Sequence, residues 1–217
     1  MPKRALVEHR PWLLASLASA LAFYFLTDGQ FEGIVRTLLK GGACAFLAIY
    51  AWQRHRSLEA KLIALYLALC SLADMALEMW FEVGGALFFA AHLAGIALYL
   101  KCRRHHTEAS QKLLAAILLI ATPITCWLLS GQPAIGLYGV ALGGMAASAW
   151  LSRFPRYRVG TGAVLFVVSD FLIFARLGGS LQDVANVLVW PVYFVAQFMI
   201  GTGVVRTLRG ELPASTD

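Results

Sequence analysis

Long apolar runs broken by short polar stretches dominate the pattern of this chain. Eight of them approach the roughly 20 residues that a membrane-spanning helix needs. They cover residues 11–26, 33–53, 60–79, 84–101, 112–130, 133–151, 159–176 and 185–206. The pattern predicts an all-α fold, a polytopic membrane bundle of eight transmembrane helices forming a single domain over residues 1–217. The first run is the shortest. The fifth and sixth are split by Ser130-Gly131-Gln132-Pro133, a tight-turn signal. The longest linker, Lys101 to Lys112, leaves no room for a soluble domain. Thr27-Asp28-Gly29 follows the first run where a cleavage site would carry small residues, so no cleavable signal peptide is expected.

Composition agrees with the pattern. Hydrophobic residues make up 59% of the chain and charged residues 14%, against about 25% charged in soluble domains. One small core cannot hide that much apolar surface, so lipid is the expected outer solvent. The net charge of +6 does not indicate a nucleic-acid partner once the charges are located. Lys3, Arg4 and Arg10 precede the first run. Arg54, Arg56 and Lys61 fill the second loop, Lys101, Arg103, Arg104 and Lys112 the fourth, and Arg153, Arg156 and Arg158 the sixth. Arg206 and Arg209 follow the last run. These are 15 of the 18 Lys and Arg. The intervening loops hold Asp28, Glu32, Glu82 and Asp183. The alternation predicts both termini on the cytoplasmic side, and a bacterial inner membrane is the expected location. Cys44, Cys70, Cys102 and Cys126 form no CxxC pair and read as packing residues.

Arg36, Lys40 and Arg176 break the charge rule, and Asp74, Glu78 and Asp170 fall inside spans. Ionisable groups in lipid are costly and mark function by default. Their depth below the outer surface follows from the topology at 1.5 Å per residue. It is about 8 Å for Asp74, about 9 Å for Asp170 and about 10 Å for Lys40. His92 and Tyr193 lie at about 12 Å, with Gln197 one turn deeper. Five helices thus place polar groups at similar depth. Ser71, Asp74 and Glu78 share one helical face, as do His92 and Tyr99, Tyr193 and Gln197, and Arg36 and Lys40. A faint 4+4 parallel repeat relates Lys40-Gly41-Gly42-Ala43, running into Trp52, to Leu142-Gly143-Gly144-Met145, running into Trp150. It would set Asp74 and Asp170 in corresponding helices.

Plainer readings stand beside these. Asp74 with Lys40 also reads as a structural salt bridge, Asp170 as a hydrogen-bonded packing residue, and His92 as a core histidine. Tyr99 also reads as an interfacial anchor, and Tyr193 with Gln197 as interhelical glue. Glu78, Arg176 and Arg36 also read as solvated groups near the outer surface. Gly139 and Gly143 read as a close helix contact, and Pro191 as a kink beside Tyr193. His105-His106 reads as part of a solvated loop. No nucleophile elbow, phosphate loop or metal-spaced His/Cys cluster is present in the sequence, so neither metal nor cofactor is expected.

Several segments resemble the YhhN-like lysoplasmalogenase family of membrane proteins. Gly162-Ala163-Val164-Leu165-Phe166-Val167-Val168-Ser169-Asp170 is similar to its G-A-x-x-F-x-x-S-D segment. Ala73-Asp74 with Gly85, Phe88, His92 and Tyr99 resembles its G-D, G, F, H, Y series, and Tyr193 with Gln197 its Y-x-x-x-Q. Lys40 falls at its Lys-Pro. Ala73 stands where the family has glycine, and Gly41 where it has proline. The resemblance covers about Lys40 to Gly201.

The resemblance implies hydrolysis of the vinyl ether bond of lysoplasmalogens, giving a fatty aldehyde and glycerophospho-ethanolamine or -choline. A vinyl ether is labile to acid and passes through an oxocarbenium ion. The reaction therefore asks for one protonated carboxyl group and one carboxylate, as in glycosidases. Asp74 and Asp170 are expected to be the catalytic pair, with Lys40 keeping one of them ionised. His92, Tyr99, Tyr193 and Gln197 would orient water and the glycerol hydroxyl. Arg176 and Arg36 would hold the phosphate near the outer surface, with Glu78 beside them in the substrate site. The expected partners are a lysophospholipid substrate and membrane lipids. The alternative class is a proton-coupled small transporter or lipid-binding membrane protein, because intramembrane Asp, Lys and His also relay protons.

Overall fold

The computed structural model describes residues 10–26 and 33–214. The charges at Lys3, Arg4, Asp28 and Glu32, and the Thr27-Asp28-Gly29 segment, lie outside the described residues. Among those described, the chain forms eight α-helices: α1 Arg10–Leu26, α2 Ile34–Arg54, α3 Leu58–Ala76, α4 Phe81–Lys101, α5 Ala109–Ser130, α6 Pro133–Leu151, α7 Thr161–Leu177 and α8 Gln182–Leu208. A π-helical turn, Arg156–Gly160, leads into α7. The only strand-like pairing among the described residues is a single bridge between Arg103 and Ser152. The chain divides into two compact units, Met1–Ala91 and His92–Asp217, and the boundary falls within α4.

Six helices are long and apolar enough to cross a membrane: α2, α4, α5, α6, α8 and the run Arg156–Leu177 that contains α7. The first helix is apolar but only 17 residues long. The third has 19 residues and carries Glu59, Lys61 and Asp74. The outward faces are apolar. Only 17% of the apolar window of α5 is buried, which makes it the span with the most surface left for lipid. Leu128 on α5 and Leu137 on α6 are exposed. All four cysteines are buried thiols.

Local chemistry sets the helix ends. Ser57 caps α3 by accepting from the amide of Ala60, which starts the helix before the expected residue 60. It ends at Ala76, short of the expected residue 79, because the amides of Glu78 and Met79 fold back to Met75 and Ala76 in a tighter turn. Glu78 therefore lies in that turn and not on the helix. Glu82 belongs to the first turn of α4, where its negative charge suits the helix dipole. The expected turn after α5 is present. Gly131 takes a left-handed conformation with φ 68°, and its amide bonds the carbonyl of Trp127. Pro133 then opens α6 at a position that needs no amide donor.

In the first unit, side-chain hydroxyls hold helices to neighbouring backbones. Ser16 donates to the carbonyl of Ala43 at 2.7 Å and Ser19 to that of Leu39 at 2.8 Å, seating α1 on α2. Ser71 of α3 donates to the carbonyl of Gly41 at 2.7 Å. Such bonds replace the driving force that water supplies to soluble proteins.

In the second unit, small residues bring backbones together. A Cβ added at Gly139 would lie 2.7 Å from Pro123 Cα, and one at Gly143 would lie 2.6 Å from the carbonyl oxygen of Leu118. With Gly136 against Trp127, these glycines press one face of α6 onto α5. Gly143→Ala is expected to cost about 1–3 kcal/mol by overpacking and to lower the thermal midpoint in detergent. Gly85→Ala is the contrast. A Cβ there meets nothing within 4 Å, so the helix gains up to about 1 kcal/mol in propensity. Equal midpoints for the two variants would contradict this picture of the hairpin.

Candidate functional site

Most of the polar residues that the sequence singles out fall into one group in each unit. In the first, Glu78 is the anchor. Its Oε1 accepts from Lys40 Nζ at 2.6 Å, and its Oε2 lies 3.1 Å from Arg36 Nε. Lys40 and Arg36 are one turn apart on α2, so a carboxylate between them meets both. Both cations also stand over the ring of Phe23 on α1, at 5.7 and 5.6 Å from its centroid. Lys40, expected to hold an aspartate, thus has Glu78 as its ion-pair partner. Asp74 lies one turn before Glu78 and is 2% exposed. The helix α2 runs unbroken through Lys40 and Gly41, where the resembled family has proline. A Cβ at Gly41 would overlap the side chain of Met75, so the glycine is what lets α3 approach there.

In the second unit a hydrogen-bonded chain links three helices. Tyr138 of α6 donates its hydroxyl to Asp170 Oδ2 of α7 at 2.6 Å. The same hydroxyl lies 2.9 Å from His92 Nε2 of α4. His92 is fully buried and Asp170 is 5% exposed. When Tyr138 donates to Asp170 it accepts from His92 Nε2–H. With a proton on Asp170 both bonds can reverse, and Tyr138 then donates to His92. Aromatic rings enclose the chain. His92 meets Phe166 edge-on at 5.0 Å, Phe166 meets Tyr193 at 5.3 Å, and Tyr138 meets Phe174 at 5.6 Å. The Phe166 and Asp170 of the Ser-Asp segment therefore belong to one group, the first as an enclosing ring and the second as its buried carboxyl. Ser169 turns its hydroxyl back to the carbonyl of Phe166.

On α8, Gln197 donates from Nε2 to the Tyr193 hydroxyl at 3.2 Å. Gln197 Oε1 is buried without a hydrogen-bond partner among the described residues. An amide oxygen in that position is an acceptor available to a water or a hydroxyl. Pro191, two residues before Tyr193, lies within the helix and cannot donate to the carbonyl of Val187. Other expected members stand apart from this group. Tyr99 is buried against Phe154, about 10 Å along α4 from His92. Arg176 is exposed and donates to Asn186 Oδ1 at 3.1 Å.

Tyr138 is the residue that sequence reasoning missed. The signal was present. It lies five residues from the Pro133 end of its span, about 8 Å along the helix, close to the roughly 9 Å expected for Asp170.

The model of the YhhN family matches residues 35–204. The matched stretch runs from Arg36 to Gln197 and beyond, and so includes every residue of both groups except Phe23. No curated protein and no solved structure matches the chain.

Proposed function

Since the chain belongs to the YhhN family, we propose that it is a lysoplasmalogenase-like ether hydrolase acting on alkenyl-glycerophospholipids. In this reading a proton passes to the alkene carbon farther from oxygen. Water adds to the carbon bonded to oxygen, and the hemiacetal parts into a fatty aldehyde and glycerophospho-ethanolamine or -choline. One water is consumed and the proton is returned, so carboxyl groups suffice.

The observation that carries the reading is the chain His92–Tyr138–Asp170 among aromatic rings. Asp170 is the proposed acid. Once its proton has gone to the substrate, the Tyr138 hydroxyl holds the carboxylate left behind, and His92 supports the phenol. Asp74 is the proposed second carboxyl group, stabilising the cation and orienting water. Tyr193 and Gln197 take the glycerol hydroxyl or the water. Arg36, Arg176 and the phosphate they would hold belong to the same proposal, as do cytoplasmic termini in a bacterial inner membrane.

The direct test incubates purified protein in nanodiscs with an alkenyl lysolipid and, separately, with its saturated alkyl counterpart. Mass spectrometry should find aldehyde and the glycerophospho product from the first alone. An intact alkenyl lipid would overturn the proposal and favour binding or proton-coupled transport. Within the proposal Tyr138 is a positioning residue. Tyr138→Phe keeps the ring contacts and removes both hydrogen bonds. It is expected to slow aldehyde release about 10-fold, the low end of what a proton-transfer partner contributes, and to change the pH–rate profile. An unchanged rate and profile would make Tyr138 packing only.

A further inference from the structure

The charged loop between α4 and α5 is left unused by the proposed reaction. It begins at Lys101, nine residues beyond His92 and about 14 Å along α4. The loop is pinned, not loose. The amide of Arg104 bonds the carbonyl of Leu151, that of Arg153 bonds the carbonyl of Cys102, and Arg103 pairs with Ser152. The Arg104 side chain is 5% exposed, and its Nη2 donates to the carbonyl of Ser152 at 3.0 Å. These bonds fix the floor of an open cavity of about 700 Å³, a size usual for small-ligand sites. Four cations line it, Lys101, Arg103, Arg104 and Lys112, against the one acid Glu108, together with His105 and His106. It also meets the start of α5, a helix of 22 residues whose N-terminal Glu108 makes no side-chain capping bond. A helix N-terminus adds a further pull on anions.

A cationic cavity at the ends of two apolar spans meets both the lipid headgroup layer and water. We propose that it binds a phosphate group, carried either by the headgroup of an anionic membrane lipid or by a soluble phosphate compound. The binding is independent of the ether hydrolysis proposed above.

The full chain in nanodiscs of neutral phosphatidylcholine supplies the test. One arm adds phosphatidylglycerol and counts retained lipid by native mass spectrometry; the other titrates pyrophosphate by calorimetry. The variant Arg103→Gln/Lys112→Gln changes two exposed side chains and leaves the buried Arg104 in place. The control Arg56→Gln/Lys61→Gln removes the same charge from the loop before α3 and the first turn of that helix. Preferential retention of phosphatidylglycerol identifies the lipid source, and pyrophosphate binding the soluble one. In either case the first variant should lose affinity roughly 30-fold, the effect of two surface cations on an anionic headgroup, while the control keeps it. Aldehyde release should be unchanged in both variants. Equal losses in the two variants, or no binding in either arm, would overturn the proposal.

Discussion

Asp170→Asn is expected to lower aldehyde release about 1,000-fold, within the range for removal of a positioned general acid. The substitution is close to isosteric. The amide oxygen can still accept from Tyr138, and the Phe166 and Phe174 rings keep their neighbours. The folded state should therefore survive, as size-exclusion profiles and helical circular dichroism will report. What the amide cannot do is carry a proton to carbon. A variant that folds and retains a rate within about threefold of the parent, a change too small for a lost general acid, would remove Asp170 from the mechanism. It would leave the His92–Tyr138 pair as structural.

The second large effect is expected at Asp74. The side chain is 2% exposed and lies one turn from a carboxylate already held by Lys40 and Arg36. Glu78 pairs with both cations. An ionisable side chain buried within an apolar helix bundle is a functional residue by default. Asp74→Asn should slow aldehyde release by about 100- to 1,000-fold, in the range of acid–base and electrostatic roles, with little loss of thermal stability. The opposite outcome is a normal rate with a lower midpoint. That result would make Asp74 a structural residue and reduce the chemistry to one carboxyl group.

The two substitutions rest on different parts of what was legible beforehand. Spans could be read because lipid demands about 20 apolar residues from each helix, and the turn at Gly131 because a left-handed residue before a proline has few alternatives. Distance along each helix axis was legible too, since rise per residue is fixed. Rotation about each helix axis was not. Nothing in the spacing along α6 says that Tyr138 points at both His92 and Asp170. That depends on which faces of three helices meet, and glycines on another face of α6 help to decide it. Glu78 shows a second limit. Helical spacing put it on one face with Asp74, but the chain tightens after Ala76 and delivers its carboxylate to Lys40 and Arg36. The short α1 was the least secure element in the sequence. Its seat on α2 comes from two serine hydroxyls, which no hydropathy pattern weighs.

The glycine face of α6 also bears on which parts of the second unit can yield to a bound molecule. Where α5 and α6 meet main chain to main chain, no rotamers are available to absorb a displacement. The hairpin behaves as an anvil, and Tyr138 keeps its place to within backbone motion. The compliant partner is then α8, where Pro191 interrupts the hydrogen-bond ladder two residues before Tyr193. Amide exchange should be slow along the hairpin and faster around Pro191. A guest molecule would mould the proline-bearing wall and leave the phenol's aim untouched.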